Sequence, residues 1–133
     1  MKYELLRNHV ERVEAFHRIY KLGIEKSPTA ALTESEYLLR YKLMREENEE
    51  YLEACQNSDL AGIADALGDM MYILFGTIVR HGLQEKIEDI FREIHESNLS
   101  KLGEDGNPIY RDDGKVMKGP NYFPPDIRKV LDR

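Results

Sequence analysis

The sequence predicts an all-α protein, a bundle of four or five helices followed by an irregular C-terminal tail. Apolar residues recur at the spacing of amphipathic helices through most of residues 4–102. Capping residues, glycines and prolines divide this stretch into segments of helical length. After residue 103, glycine and proline recur every few residues, which is typical of irregular structure. At 133 residues the chain fits one domain, 1–133, with a helical core 4–102 and a tail 103–133.

The first helix is predicted from Glu4 to Leu22, where Val10, Val13 and Phe16 fall on one apolar stripe. Gly23 is expected to end it, and Pro28 prevents its continuation into the next segment.

The second and third helices carry capping signals in the sequence. Thr33 followed by Glu36 is a capping box that opens a helix running to about Asn57. Ser58-Asp59 caps a third helix over Leu60–Arg80, which His81-Gly82 closes.

The fourth helix is predicted from about Gln84 to Leu102, with a buried stripe at Ile87, Ile90, Phe91 and Ile94. In the tail, Asp113-Gly114 predicts a small hairpin between residues 109–111 and 116–118. Pro125-Asp126 is expected to start a last short helix.

Composition excludes several classes of protein. The longest uncharged apolar stretch, Met70 to Val79, is shorter than the roughly 20 residues that cross a bilayer, so no membrane association is expected. Charges near the N-terminus argue against a signal peptide, and the lone Cys55 excludes an intrachain disulfide, so we expect a cytoplasmic protein. A net charge of −6 argues against nucleic acid as the ligand.

Acidic residues interrupt the apolar stripe of the second helix. At 3.6 residues per turn, Glu46 and Glu50 fall in the sector of Leu39 and Leu43, with Glu47 at its edge. A run of acids is usually a solvated face, but inward carboxylates need a neutralising charge and this sector offers too few Lys or Arg.

Two further acids, Asp65 and Asp69, form an i, i+4 pair on the third helix. Packing the second helix beside the third would gather four or five carboxylates. Oxygen ligands without His or Cys favour Mg²⁺, with Mn²⁺ as a substitute.

The fourth helix carries donors on its predicted inner sector, at Asn98 and Lys101, with His95 one turn earlier. Lys101 could instead extend to solvent while Asn98 caps the helix end. Beside an acid cluster that binds metal, these donors suggest a phosphate ligand.

These residues resemble the MazG-like all-α NTP pyrophosphatase superfamily, whose hallmark is an ExxE segment on one helix and an ExxD segment on the next. Glu46-Glu47-Asn48-Glu49-Glu50 resembles the first segment, and Ala66-Leu67-Gly68-Asp69 takes the place of the second. Ala66 stands where the first acid of ExxD would be, with Asp65 as a candidate substitute. Residues 97–101 and the Asp113–Pro120 segment resemble the tail of a dUTPase-like branch.

The resemblance implies a nucleotide pyrophosphohydrolase that controls nucleotide pools, cutting a nucleoside triphosphate between its α and β phosphates with Mg²⁺ or Mn²⁺. It implies a homodimer or homotetramer. The implied metal ligands are Glu46, Glu50 and Asp69, with Glu47 binding metal or orienting the attacking water. The implied phosphate-binding residues are Lys101 with Lys115 or Lys118, and Asn98 would hydrogen-bond the sugar or a phosphate. Phe16, with His17 or Tyr20, could stack on the base.

Several alternatives stay open at this point. Phe16 also continues the apolar stripe of its helix, and Arg111 and the tail lysines could be solvated loop charges. A phosphoribosyl-ATP pyrophosphatase would share the acid spacing, although the tail favours the dNTP branch. A non-enzymatic helical adaptor with an acidic face is the alternative from another class.

Overall fold

The computed structural model describes residues 4–133, which form five α helices and, within that range, no strand. The predicted all-α class is confirmed. Residues 1–3, part of the N-terminal segment in which no signal peptide is expected, lie outside the described range. The helices are α1 Leu6–Ile19, α2 Glu34–Gln56, α3 Leu60–Arg80, α4 Ile87–Leu99 and α5 Ile127–Leu131.

The chain divides into two compact units, the first extending to Gln84 and the second covering Glu85–Arg133. In the first unit α3 packs against both α1 and α2. Apolar residues of all three helices are withdrawn from water there, which is the main favourable contribution to folding. This core contains Val10, Val13, Ala54, Ala66, Phe75, Ile78 and Val79. The prediction of a single domain 1–133 stays a prediction.

α3 is the most apolar element of the first unit. By length and composition alone it could span a membrane. The core helix of a soluble protein meets the same criterion, so this observation is weak evidence for a membrane span. α3 packs against both α1 and α2, and 28% of its apolar 18-residue window is buried.

One glutamate ties the start of α2 to the end of α3. The predicted capping box is confirmed: the Glu36 carboxylate accepts a hydrogen bond from the Thr33 backbone N–H at 3.0 Å, and Thr33 Oγ1 accepts one from Glu36 N–H at 3.3 Å. The same carboxylate lies 3.0 Å from the guanidinium of Arg80, which also pairs with Glu25 at 3.5 Å. Arg80 is only 8% exposed, and a buried cation of this kind requires such partners.

α1 ends earlier than predicted, at Ile19 rather than Leu22. The chain then turns through Lys21 and Gly23, which have φ values of 57° and 92°. A side chain at Gly23 would also meet the Arg80 guanidinium, since an added Cβ would lie 2.9 Å from it. Gly23 is therefore required by the turn after the helix and by the arginine packed against it.

The second unit contains α4, the tail and α5. The predicted last helix is present and is capped by the Asp126 side chain, which accepts a hydrogen bond from Lys129 N–H at 3.1 Å. The predicted hairpin is reduced to a turn with one isolated antiparallel bridge, between Tyr110 and Val116. Gly114, with φ 90°, supplies the left-handed position of that turn.

The predicted buried stripe of α4 is wrong in part. Phe91 is 67% exposed and Ile94 is 40% exposed, whereas the buried residue of this helix is Ser97. The reason is that the tail covers the Ser97 side of α4, and Ser97 Oγ donates a hydrogen bond to the Phe123 carbonyl oxygen at 2.8 Å.

Candidate functional site: an acid cluster between two helices

Four carboxylates come together where α2 packs against α3: Glu47, Glu50, Asp65 and Asp69 (the acid cluster). Burial, together with the neighbouring acids, raises the pKa of Glu47 to about 7. Burial is the largest cause, followed by a hydrogen bond with Glu50 and by the negative charges of Glu50, Asp69 and Asp65. Glu47 and Glu50 of α2 thus lie near Asp65 and Asp69 of α3, and their role as metal ligands stays a prediction.

Glu47 is the most unusual member of the acid cluster. Its Oε2 atom is buried and has no hydrogen-bond partner among the described residues. A buried carboxylate oxygen that accepts no hydrogen bond has lost its contacts with water without replacement, which costs free energy. A proton or a bound cation would remove that cost. The environment of Glu47 therefore favours the protonated state or the binding of a cation.

The pKa of Asp69 is shifted in the same direction as that of Glu47. Burial raises its pKa, and the negative charges of Asp65 and Glu50 raise it further. Within residues 4–133, no Lys or Arg forms an ion pair with any member of the acid cluster. The negative charge of the cluster is thus left uncompensated by the described side chains.

Glu46, the remaining predicted metal ligand, is not brought to the cluster. It is exposed and borders a shallow depression with Lys42, Arg45 and Glu49. The expected sector held Leu39, Leu43 and Ala54, of which Ala54 is buried and Leu39 is 52% exposed. The inward face of α2 is rotated away from Leu39, so Glu47 lies within it and Glu46 lies outside.

At position 66, where the ExxD pattern has an acid, this chain has an alanine that is packed in the core. Ala66 is 1% exposed and belongs to the core, whereas Asp65, one position earlier, is exposed and contributes to the acid cluster. Position 66 therefore faces apolar packing in this chain, and the neighbouring acid stands at the site instead.

A polar depression of about 190 Å³ adjoins the acid cluster at Glu50 and Asp65. Glu53 and Asp59 also border it, and sequence reasoning missed both. Glu53 follows Glu50 at helical spacing and could have been included. Asp59 was identified only as a cap, a role that it fills by accepting from Gly62 N–H at 3.0 Å.

The aromatic residues proposed to stack on a base lie in the packing of α1. Phe16 contacts the rings of Tyr20 and Tyr72, at 4.4 and 5.4 Å between centroids. His17 is 2% exposed and its Nδ1 lies 3.0 Å from the Gly23 carbonyl oxygen. Burial lowers the pKa of His17, which favours a neutral ring. Its ring is therefore placed as an interior group, out of reach of a base at the surface.

The other predicted substrate-binding residues belong to the second unit. His95, Asn98, Lys115 and Lys118 are exposed, and Lys101 is half-buried. Arg111 is held by Asp113, to which its Nε donates at 2.8 Å and with which its guanidinium forms an ion pair. A backbone hydrogen bond of 2.8 Å from Gly119 N–H to the Lys101 carbonyl oxygen joins the segment carrying Lys118 to the end of α4.

The acid cluster offers only carboxylate oxygens, the type of ligand that Mg²⁺ prefers, and one of these oxygens is buried without a hydrogen-bond partner among the described residues. Among the described residues, no three His, Cys, Asp or Glu side chains converge closely enough to hold one ion. Carboxylates without a neutralising charge repel one another. To bind one cation together, the side chains of the acid cluster would therefore have to rotate toward it.

Comparison with known proteins identifies a family and a similar fold. The family model for phosphoribosyl-ATP pyrophosphohydrolase matches residues 13–98 of the chain, a range that contains the acid cluster. Among solved structures, the crystal structure of a "putative NTP pyrophosphohydrolase" from Exiguobacterium sp. 255-15 is similar, with a TM-score of 0.51 and 24% sequence identity over 95% of each chain. This likeness supports the all-helical fold. No curated protein matches the chain.

Proposed function

The chain belongs to the phosphoribosyl-ATP pyrophosphohydrolase family, and on that premise we propose a Mg²⁺-dependent enzyme that cleaves the α–β phosphoanhydride of a nucleoside triphosphate. The products are the nucleoside monophosphate and pyrophosphate, and the role is control of nucleotide pools. The family and the fold together indicate a nucleotide pyrophosphohydrolase, in accord with the MazG-like all-α superfamily. The identity of the metal and that of the substrate are proposals that go beyond the family and the fold.

The observation that carries the proposal is the buried, unpartnered Oε2 of Glu47 within a group of uncompensated acids. A structural acid would be expected to meet an N–H donor or an arginine, as Glu36 meets Arg80 at 3.0 Å. Among the described residues, Glu47 Oε2 contacts neither an N–H donor nor an arginine. A carboxylate in this state is typical of a functional site.

Glu50, Asp65 and Asp69 are the residues that would hold divalent cations, with Glu47 beside them. Glu46 was also a predicted ligand, and its exposed position outside the cluster makes it the weakest member of that set. Bound Mg²⁺, or Mn²⁺ in its place, would neutralise these carboxylates and offset the negative charge of the phosphate chain.

Glu47 is the proposed general base. With a pKa raised to about 7, its carboxylate is a better proton acceptor than an ordinary glutamate and is still substantially ionised at neutral pH. It would orient the attacking water and accept its proton on a carboxylate oxygen. Burial, the largest cause of the raised pKa, also limits competing contact with bulk water.

Contacts to the substrate are proposed for residues of the second unit. Lys101, Lys115 and Lys118 would bind phosphate oxygens, and Asn98 would hydrogen-bond the sugar or a phosphate. His95 is exposed one turn before Asn98 and is retained as a candidate. Arg111 is a weaker candidate because Asp113 already occupies its guanidinium.

We further expect a homodimer or homotetramer. Leu67, Met71 and Leu74 follow one another at helical spacing along α3 and are 46%, 52% and 46% exposed. A contiguous apolar stripe of this kind is costly to leave in water, and a second copy of the chain would cover it. Light scattering at micromolar concentration measures the assembly, and the same mass for Met71→Glu as for the unaltered chain would contradict this placement.

Phosphoribosyl-ATP is the second candidate substrate, because the family match carries that name. The bond cleaved would be the same, so the acid cluster does not distinguish the two substrates. An adaptor with an acidic face, the alternative from another class, is disfavoured by membership of an enzyme family.

A screen of pyrophosphate release tests the proposal directly. The four dNTPs, the four NTPs and phosphoribosyl-ATP are incubated with the protein in Mg²⁺, in Mn²⁺ and in EDTA. We expect release of pyrophosphate and the corresponding monophosphate in either metal and none in EDTA. Release of orthophosphate, metal-independent turnover, or no turnover of any of these compounds would overturn the proposal.

A further inference from the structure

The tail is anchored to the C-terminal end of α4 by hydrogen bonds that use both serines of that region. Ser97 Oγ donates to the Phe123 carbonyl oxygen at 2.8 Å, and Ser97 is 2% exposed. Ser100 Oγ accepts from Phe123 N–H at 3.1 Å and donates to the Ser97 carbonyl oxygen at 2.6 Å. Phe123 is thus held through both of its backbone polar groups.

Gly119 makes a second, closer approach to the same helix end. Its N–H donates to the Lys101 carbonyl oxygen at 2.8 Å. An added Cβ would lie 2.0 Å from the Leu102 carbonyl oxygen and 2.9 Å from that of Lys101. Because backbone atoms cannot yield as a flexible side chain does, only glycine permits this contact.

Lys118 is fixed on both sides by these contacts. Before it, Met117 N–H donates to the Ile109 carbonyl oxygen at 2.7 Å, and after it Gly119 is bonded to Lys101. The ammonium nitrogen of Lys118 lies 4.7 Å from the centre of the Tyr122 ring. Tyr122 is itself placed by its N–H, which donates to the Gly119 carbonyl oxygen at 3.2 Å. Backbone and head group of this lysine are therefore both positioned.

The charge of Lys118 has no carboxylate partner among the described residues. By contrast, the nearby Arg111 is neutralised by Asp113. The face of an aromatic ring holds a cation by its quadrupole while leaving the rest of the ammonium free to bind an anion. A lysine held in this way also loses less conformational entropy when a ligand binds.

We propose that Tyr122 is a positioning residue that presents Lys118 to the phosphate chain of the substrate, and that Ser97, Ser100 and Gly119 fix the segment on which both stand. Within the second unit, the tail is accordingly a preformed binding element. This inference rests on the proposed function for the identity of its ligand. The contacts from Ser100 onward lie beyond the family match, which ends at residue 98.

Binding of inorganic tripolyphosphate to the full-length chain, measured by isothermal titration calorimetry in Mg²⁺, tests the inference without requiring turnover. We expect Lys118→Ala to weaken binding about tenfold and Tyr122→Leu to weaken it about fivefold, with Tyr122→Phe close to the unaltered chain because the ring is retained. The double variant Lys118→Ala/Tyr122→Leu should bind no more weakly than Lys118→Ala alone, since Tyr122 acts through the lysine.

Lys129→Ala is the matched control, because it removes one positive charge from an exposed position on α5. Equal losses for Lys118→Ala and Lys129→Ala would show a net-charge effect and overturn the inference. Additive losses in the double variant would show that Tyr122 acts independently of Lys118, and would also overturn it. Ser97→Ala should raise the dissociation constant a few-fold, with Ser97→Thr restoring it, because threonine retains the hydroxyl.

The same variants separate this inference from the proposed function. If no nucleotide is hydrolysed while tripolyphosphate binding follows the expected pattern, the proposed function fails and the inference stands. If nucleotide is hydrolysed and Tyr122→Leu changes neither the tripolyphosphate dissociation constant nor KM, the inference fails and the proposed function stands.

Discussion

Glu47 and Glu50 lie one turn apart on α2, and burial together with the neighbouring Glu50 carboxyl group raises the pKa of Glu47 to about 7. Two neighbouring carboxyl groups can share a hydrogen bond only while one of them carries a proton. The same proton is lost when a cation takes its place. On the proposed function, protonation and metal binding at Glu47 would compete, so pH is a probe of the site.

Stability without metal should fall as the pH rises through the titration of Glu47. The folded pKa of about 7 lies above the ordinary value of 4.5, so the folded state binds the proton more tightly than the unfolded state does. The penalty from Glu47 is absent below pH 4.5, grows between 4.5 and about 7, and is complete above that. In EDTA, the melting temperature of Glu47→Gln relative to the unaltered chain should rise over this window. A difference independent of pH would contradict the assignment.

Divalent metal should stabilise the protein, and more strongly at pH 8 than at pH 6, because the ion then displaces fewer protons. Saturation at a hundred times the dissociation constant would contribute about 2.7 kcal/mol, enough to raise the melting temperature by several degrees. Asp69→Asn should lose most of this gain, while the exposed Asp112→Asn in the tail should keep it. Equal gains in both variants would place the ion elsewhere.

Glu50→Gln should lower kcat by about a hundredfold or more, because an amide offers no negative charge to a cation. The control is Glu49→Gln, one position away, whose carboxylate is exposed and pairs with Arg45 at 3.1 Å. Steady-state release of pyrophosphate measures both variants. The site assignment fails if Glu50→Gln turns over at the rate of Glu49→Gln.

Restoring the acid of ExxD at position 66 should harm this protein. Ala66 is 1% exposed, so Ala66→Glu would bury a carboxylate among apolar groups at a cost of about 3 kcal/mol or more. Ala64→Glu adds the same charge at an exposed position of α3 and should be nearly neutral. Urea denaturation compares the two, and an Ala66→Glu variant as stable as Ala64→Glu would show that position 66 can reach solvent.

Lys101→Ala should raise KM about tenfold while leaving kcat and the melting temperature nearly unchanged, because the partner of this lysine is expected to be substrate. No carboxylate among the described residues forms an ion pair with Lys101, so little native contact is lost by its removal. Loss of the folded state with an unaltered KM would instead favour a packing role for its side chain.

Most of the helices could be predicted from the sequence because their signals are local. The capping box at Thr33 and Glu36 and the cap at Asp59 are confirmed, and α3 has the predicted bounds. The inward face of α2 was misplaced by one residue because this helix has apolar residues on several sides, so periodicity does not decide which of them packs. Leu39 was expected on the inward face of α2, but it is 52% exposed.

Contacts between segments distant in sequence were not predictable. The bonds of Ser97 and Ser100 with Phe123 join a side chain to a backbone 23 to 26 positions away, and such bonds leave no periodic pattern. The stripe containing Phe91 was recognised as apolar, but a sequence does not say whether such a stripe is covered by its own chain. Phe91 is 67% exposed, so this part of the stripe is not covered by the chain itself.

The double use of Glu36, as cap of α2 and partner of Arg80, fixes the axial register of the two acid-bearing helices at the end remote from their carboxylates. Glu36→Gln would weaken that anchor without touching any proposed ligand. Sliding of α2 along α3 would then alter the separation of Glu47 from Asp69. A residue that contacts none of the four acids would in this way control their spacing.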